Sequence, residues 1–158
     1  MKDSNPAGYS PAQEELLAAG IPAADLARFK DLRLGSLIPK LGITFIRLSA
    51  QETLASMPVA GNTQPAGLLH GGASAALMET VGSFASSMAG TEETVALGTE
   101  LNLSHLRPAR SGLVTARAWA LKLGRTLCIH QLEVRDEKDR LISTGRMTNM
   151  LVARAGLK

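Results

Sequence analysis

Between Gly71 and Gly90 the chain carries no proline and a single charge, Glu79; every other residue is small, apolar or an uncharged alcohol. A stretch of that length with no breaker reads as one helix of about five turns, ended by Gly90. A helix that is apolar or small all round is a buried helix, so the rest of the chain has to cover it. Four strand candidates follow, Val95–Leu106, Gly112–Leu123, Leu127–Asp136 and Leu141–Val152, separated by turn-forming segments rich in Arg, Pro, Gly and Asp. Two more precede it, Leu41–Ser49 and Thr53–Val59, joined by a turn at residues 50–52. Strands, one long helix and then a run of strands predict an α+β domain with a largely antiparallel sheet around the helix.

The N-terminal part follows a different pattern. Residues 1–10 read as a loose tail, Pro11–Ala19 as a short helix capped by Ser10 and ended by Gly20, and Ala23–Leu32 as a second short helix. Neither helix has a strong apolar face, so residues 1–35 are expected to be an appendage to a domain at 36–158. The most apolar segment, Pro65–Gly90, is long enough to span a bilayer, but it contains His70 and Glu79. A carboxylate at mid-span is costly in lipid, so no membrane association is expected. One cysteine, Cys128, excludes an intrachain disulfide framework, and with no apolar leader visible the expected location is the cytoplasm.

Burial would push the pKa of an unpartnered Glu79 upward, which marks it as a functional candidate; the alternative is a structural acid paired with an arginine or capping a terminus. Ser83 lies one helical turn later on the same face, placed either to bond the carboxylate or to pack as a small residue. His70, Gly71 and Gly72 open the helix. Glycines are poor helix formers but allow close approach to the backbone, and the first amides of a helix are unpaired and sit at its positive end. They suit a carbonyl oxygen that becomes an oxyanion. Gly71 and Glu79 are roughly 12 Å apart along one helix, too far to act on one carbonyl. If both serve one site, they come from two subunits with antiparallel helices, so a homodimer with two shared sites is expected.

The segment Gln64-Pro-Ala-Gly-Leu-Leu-His70-Gly-Gly-Ala-Ser-Ala-Ala-Leu-Met-Glu79, with Ser83 and with Asn102-Leu-Ser-His105-Leu-Arg107-Pro, resembles the hotdog-fold acyl-CoA thioesterases. The likeness runs from about Ile38 to Val152 and is to the branch that carries Glu, which includes the 4-hydroxybenzoyl-CoA and 1,4-dihydroxy-2-naphthoyl-CoA thioesterases. It implies a hotdog fold, an antiparallel sheet wrapped around one central helix. It implies hydrolysis of acyl-CoA, with aromatic acyl groups leading, and packing of two dimers into a tetramer. Glu79 would be the nucleophile or general base, and Gly71 N–H would polarise the carbonyl. Gln64 and His70 would position it, and Ser83 would hold water or the acyl group. His105 would lie near the thioester or the pantetheine arm, and Gly124, Arg125 and Thr126 match the family segment along that arm. No metal or cofactor is implied, because coenzyme A arrives with the substrate.

Charge is divided unevenly. Residues 1–100 hold six Lys/Arg against ten Asp/Glu, a balance of −4, and residues 101–158 hold eleven against four, a balance of +7. A basic block of this kind is either a solvated face or an anion site. The phosphates of coenzyme A are the candidate anion, with Arg107, Arg110 and Arg125 at strand ends or turns. Aromatic residues make up 3% of the chain, which argues against base stacking, so no nucleic-acid partner is expected. Two other readings compete: a hotdog hydratase or dehydratase using His70 and Glu79, and a non-catalytic acyl-CoA binder.

Overall fold

The apolar stretch forms α4, Gly71–Ala89, and its burial is one-sided. In the computed structural model, which describes residues 8–29 and 32–157, Ala73, Ser74, Leu77, Met78, Val81, Gly82, Ala85 and Ser86 are buried along one stripe. That spacing is one face of a 3.6-residue period. Gly72 and Glu79 are exposed, and Ala76, Thr80 and Ser83 are half-buried. The expectation of a helix buried all round is therefore corrected: the sheet covers one side only, and among the described residues Gly72 and Glu79 on the opposite side are left exposed.

Among the described residues the remaining elements are three short α-helices, α1 Pro11–Ala18, α2 Leu26–Phe29 and α3 Leu37–Leu41, two short 3-10 turns and six strands. The strands are β1 Thr44–Arg47, β2 Glu52–Pro58, β3 Thr94–His105, β4 Leu113–Leu123, β5 Leu127–Asp136 and β6 Leu141–Ala153. They form one antiparallel sheet in the order β1-β2-β4-β5-β6-β3. After α4 the chain crosses to the far edge, so β3 pairs with β6 and ends the sheet.

Alternation along the strands lays Ala55, Ala116, Ala118, Leu132, Val134 and Met147 under the helix. The alanines are neighbours across β2 and β4, and their small size lets the helix sit close to the sheet. Gly82 serves the same end, because a Cβ there would lie 2.8 Å from Met147 Sδ.

The N-terminal helices are not a loose appendage. Leu16, Ile21, Leu26 and Phe29 are at most 5% exposed and join the same core as the helix and sheet. Ser10 caps α1 through a reciprocal capping box with Gln13, as its sequence suggested. Gly20 then turns at φ 88°, where a Cβ would collide with Phe45 O, while Phe45 N–H donates to Ala19 O at 2.7 Å. A second difference is α3, which ends at Leu41, where a strand was expected to begin; the chain becomes extended only at Thr44, after Gly42 reverses it at φ 69°. Of the expected tail, residues 1–7 lie outside the described residues, as do residues 30 and 31 of the second expected helix. Among the described residues, no helix is long and apolar enough to cross a membrane.

Candidate active site

The loop before α4 is pinned on both sides. Leu69 N–H donates to Ala109 O at 2.8 Å and His70 N–H to Asn62 O at 2.9 Å, while Gln64 N–H closes the loop on Leu68 O at 2.8 Å. These bonds deliver Gln64 and Gly71 to one cavity of about 430 Å³, which Ser74, His105 and Arg107 also line. Gln64, Gly71, His105 and Arg107, four of the expected site residues, therefore meet at the start of the helix.

Each of the two glycines faces an imidazole. A Cβ on Gly71 would lie 2.6 Å from His105 Nε2, and one on Gly72 would lie 3.0 Å from His70 Nδ1. The expectation that ligand approach accounts for the glycines is thus refined: histidine rings fill the space that side chains would need. His70 caps the helix, its Nδ1 accepting the Gly72 N–H at 2.8 Å. Its ring borders a separate cavity with Leu37, Leu41 and Ala76, so it does not line the cavity of Gln64 and Gly71.

Glu79 and Ser83 lie further along the helix, also outside that cavity. Glu79 is exposed, not buried, and its Oε1 would be 3.6 Å from a Cβ placed on Gly98. Ser83 Oγ donates to Asn149 Oδ1 at 3.4 Å rather than to Glu79. Asn149 is fully buried and its Nδ2 donates to Gly82 O at 3.4 Å. It was not singled out from the sequence, although a polar residue at an inward position of an apolar alternating strand marks it. Ser143, also fully buried and bonded to His105 Nδ1 at 3.0 Å, carries the same signature.

Gly124, Arg125 and Thr126 form the β4–β5 hairpin, where Thr126 O accepts from Leu151 N–H at 2.9 Å. That hairpin is level with Leu97 on β3, whereas Arg107 lies just beyond His105. The two ends are about 26 Å apart at roughly 3.3 Å per residue, so in one chain they flank opposite ends of the sheet.

Much of the basic block is already paired. Arg117 meets Glu52 at 2.6 Å, Arg140 meets Asp136 at 2.6 Å, Arg135 meets Glu133 at 3.0 Å and Arg146 meets Glu100 at 3.5 Å. Arg47 and Arg117 together hold the Glu52 carboxyl below its usual range. Arg107 donates to Leu141 O at 3.1 Å, and Arg110 and Arg125 form no ion pair among the described residues. The three arginines expected to meet phosphate are therefore free of carboxylate partners, at two separate places.

A helix N-terminus aimed at a cavity, with Gln64 and His105 beside it, suits a carbonyl group. The model of the thioesterase superfamily matches residues 66–143, which span that helix and most of the sheet. The proofreading thioesterase EntH of Klebsiella pneumoniae is 46% identical over 113 residues, 71% of this chain and 82% of that protein. The chain belongs to the thioesterase superfamily. This thioesterase is also 39% identical over 119 residues to the 1,4-dihydroxy-2-naphthoyl-CoA hydrolase of Escherichia coli, covering 75% of this chain and 88% of that one. Among solved structures, a Staphylococcus aureus thioesterase superposes on it with a TM-score of 0.71 at 31% identity, covering 73% of this chain and 97% of the other. That protein was solved as a glutamine-to-alanine variant and again as a glutamate-to-alanine variant, the second with a TM-score of 0.72. The six-stranded antiparallel sheet with its one long helix is the hotdog arrangement expected from the resemblance, and the thioesterase is a hydrolase of thioesters.

Proposed function

We propose that the protein hydrolyses acyl-CoA thioesters, with aromatic acyl groups preferred, in sites shared between two subunits. The carrying observation is a pair of neighbours on one edge strand. Glu79 sits beside Gly98 and Gly71 sits against His105, and both partners belong to β3. β3 is a 12-residue strand with one edge unpaired, and its centre, Leu97 to Glu100, is exposed. An open edge of that length invites a further strand. Antiparallel pairing of β3 with its own copy about a twofold lays the Gly98 end of one strand beside the His105 end of the other. Glu79 of the partner subunit then approaches the Gly71 cavity, and the partner's Gly124–Thr126 hairpin approaches His105 and Arg107. The exposed stripe of α4 is covered in the same step.

In this site the Gly71 N–H polarises the thioester carbonyl, helped by the Gln64 side chain. Glu79 of the partner subunit attacks the carbonyl carbon or takes a proton from the water that does, with Ser83 beside it. The C–S bond breaks and coenzyme A leaves as the thiolate; where Glu79 has attacked, water then hydrolyses the mixed anhydride to the free acid and restores the carboxylate. Arg107, Arg110 and Arg125, free of carboxylate partners, suit the phosphates of coenzyme A. The chemistry asks for no metal or further cofactor. The altered glutamine and glutamate of the S. aureus thioesterase are as far apart in sequence as Gln64 and Glu79, which supports both roles. The substrate of the E. coli hydrolase is an aromatic acyl-CoA, which supports that class. Two such dimers assemble into a tetramer in this reading, and the buried, unpaired Cys128 suits a reducing cytoplasm.

The test is Glu79→Gln, assayed with benzoyl-, naphthoyl- and medium-chain acyl-CoA by thiol release. A loss of about 10³-fold is expected, the scale of a group that acts on the reacting centre. Turnover within a few-fold of wild type would overturn the role, and no thiol release by wild type from any of these would overturn the function.

A further inference from the structure

His105 enters the cavity at the start of α4 with its orientation set from behind. It lies directly across from Ser143 in the β3–β6 ladder. The Ser143 side chain is fully buried, and its Oγ is 3.0 Å from His105 Nδ1. The opposite vertex of the ring, Nε2, faces the gap where Gly71 lacks a Cβ. A buried hydroxyl gives its proton to an acceptor. Among the hydrogen bonds of the described residues, His105 Nδ1 is the partner of Ser143 Oγ. With Ser143 donating, Nδ1 must carry the lone pair, and a neutral imidazole then carries its proton on Nε2. The other tautomer would strand the Ser143 proton in the interior without an acceptor.

We infer that Ser143 is a positioning residue that holds His105 as its Nε2–H tautomer, making that N–H a second donor, beside Gly71 N–H, to the thioester carbonyl oxygen. This rests on the proposed thioesterase site and deepens it. As the attacking oxygen bonds to the carbonyl carbon, the C=O electron pair moves onto oxygen, where the two N–H groups hold it. When the pair returns, the C–S bond breaks and the thiolate leaves. A proton taken from water goes to Glu79 of the partner subunit, and His105 keeps its own proton throughout. Two fixed donors need no reorganisation as charge develops, which is the condition under which such groups are most effective. The cross-strand pair also explains why a serine occupies an inward position of β6 among Ile142, Met147 and Leu151.

Nitrogen-resolved NMR of the imidazoles in the full chain, at a pH where His105 is neutral, reads the tautomer directly, with His105→Asn providing the assignment. A pyrrole-type Nε2 and a pyridine-type Nδ1 are expected in wild type. In Ser143→Ala the two tautomers are expected to mix, and kcat to fall about tenfold with KM within about twofold, the size of one neutral hydrogen bond felt in the transition state. Ser143→Thr, which keeps the hydroxyl, is expected to restore both. An Nδ1–H tautomer in wild type overturns the inference, and that measurement stands if Ser143→Ala fails to fold. Wild-type kcat in Ser143→Ala, alongside a Glu79→Gln variant that is inactive, overturns the inference alone. Absence of thiol release by wild type removes the underlying site reading instead.

Discussion

Single residues in this protein are defined as much by what lies behind them as by their own chemistry. His130 is the clearest case away from the site. It is fully buried, its Nε2–H donates to Ala50 O at 2.9 Å, and its Nδ1 faces Ser86 Oγ at 3.3 Å. The carbonyl can only accept, so Nε2 carries a proton, and in the neutral ring the serine supplies the proton to Nδ1. Burial pushes its pKa below the ordinary 6.5, opposed by the bond to Ala50. The unfolded chain therefore binds a proton at a pH where the folded one does not, and stability falls as pH drops below that ordinary value. Urea midpoints taken from pH 8 down to 5 are expected to decline in wild type and to decline less in His130→Gln. A flat wild-type profile would refute this. Neither Ser86 nor Ala50 is close to His130 in the chain, so the sequence shows a histidine in a strand and nothing of its partners. Gly71 and Gly72 were legible as special positions because glycine is a poor helix former, but that His105 fills the space beside Gly71 depends on a strand met only in three dimensions.

Among the elements, α4 and the four strands after it were legible nearly to their ends, because long periodic segments carry their own signal. The first N-terminal helix and its Ser10 cap were legible too, but the docking of the N-terminal segment was not. Its buried residues are few, and what they bury against is remote: Phe29 and Phe45 flank Phe84 with ring centroids 5.3 and 4.5 Å away. Two arginines complete the docking. Arg28 donates to Met88 O and Gly90 O at 3.3 and 3.0 Å, closing the carbonyl end of α4. Arg154 donates to Arg28 O, Phe29 O and Thr94 O at 3.2, 3.3 and 3.4 Å. A cation on a helix's last carbonyls complements its dipole, so Arg28→Ala is expected to lower unfolding stability by about 1–2 kcal/mol in urea titrations. A change below a few tenths would show that the clamp is dispensable. Arg154 also removes one member of the basic C-terminal block from the list of anion ligands.

At the scale of the whole molecule, the proposed dimer brings the uncovered side of α4 and the open edge of β3 against the same partner. The shared-site arrangement predicts complementation between inactive subunits. Glu79→Gln and Gly71→Ala, whose new methyl would collide with His105, are each expected to be inactive. A mixed dimer of the two contains one site with both wild-type groups, so random reassortment is expected to restore about a quarter of wild-type kcat. Co-refolding the two variants and measuring thiol release checks this. No recovery from dimers shown to be mixed would overturn the shared site.

The sequence alone determined the layout, one long helix followed by four strands, and singled out candidate residues for chemistry, because hydrophobic period and the rarity of a lone acid in a small-residue helix are local properties. It also determined that Gly71 and Glu79 of one chain are too far apart to share a carbonyl, since helical rise is a constant. Only the tertiary structure decided that Glu79 is exposed on a single chain, that His70 caps the helix instead of lining the Gly71 cavity, and that Ser143 stands behind His105. It also split the basic block between structural ion pairs and free arginines. Apart from the local His70 cap, these depend on which elements become neighbours, and β3 crossing the sheet to pair with β6 sets much of that order through contacts far apart in the chain.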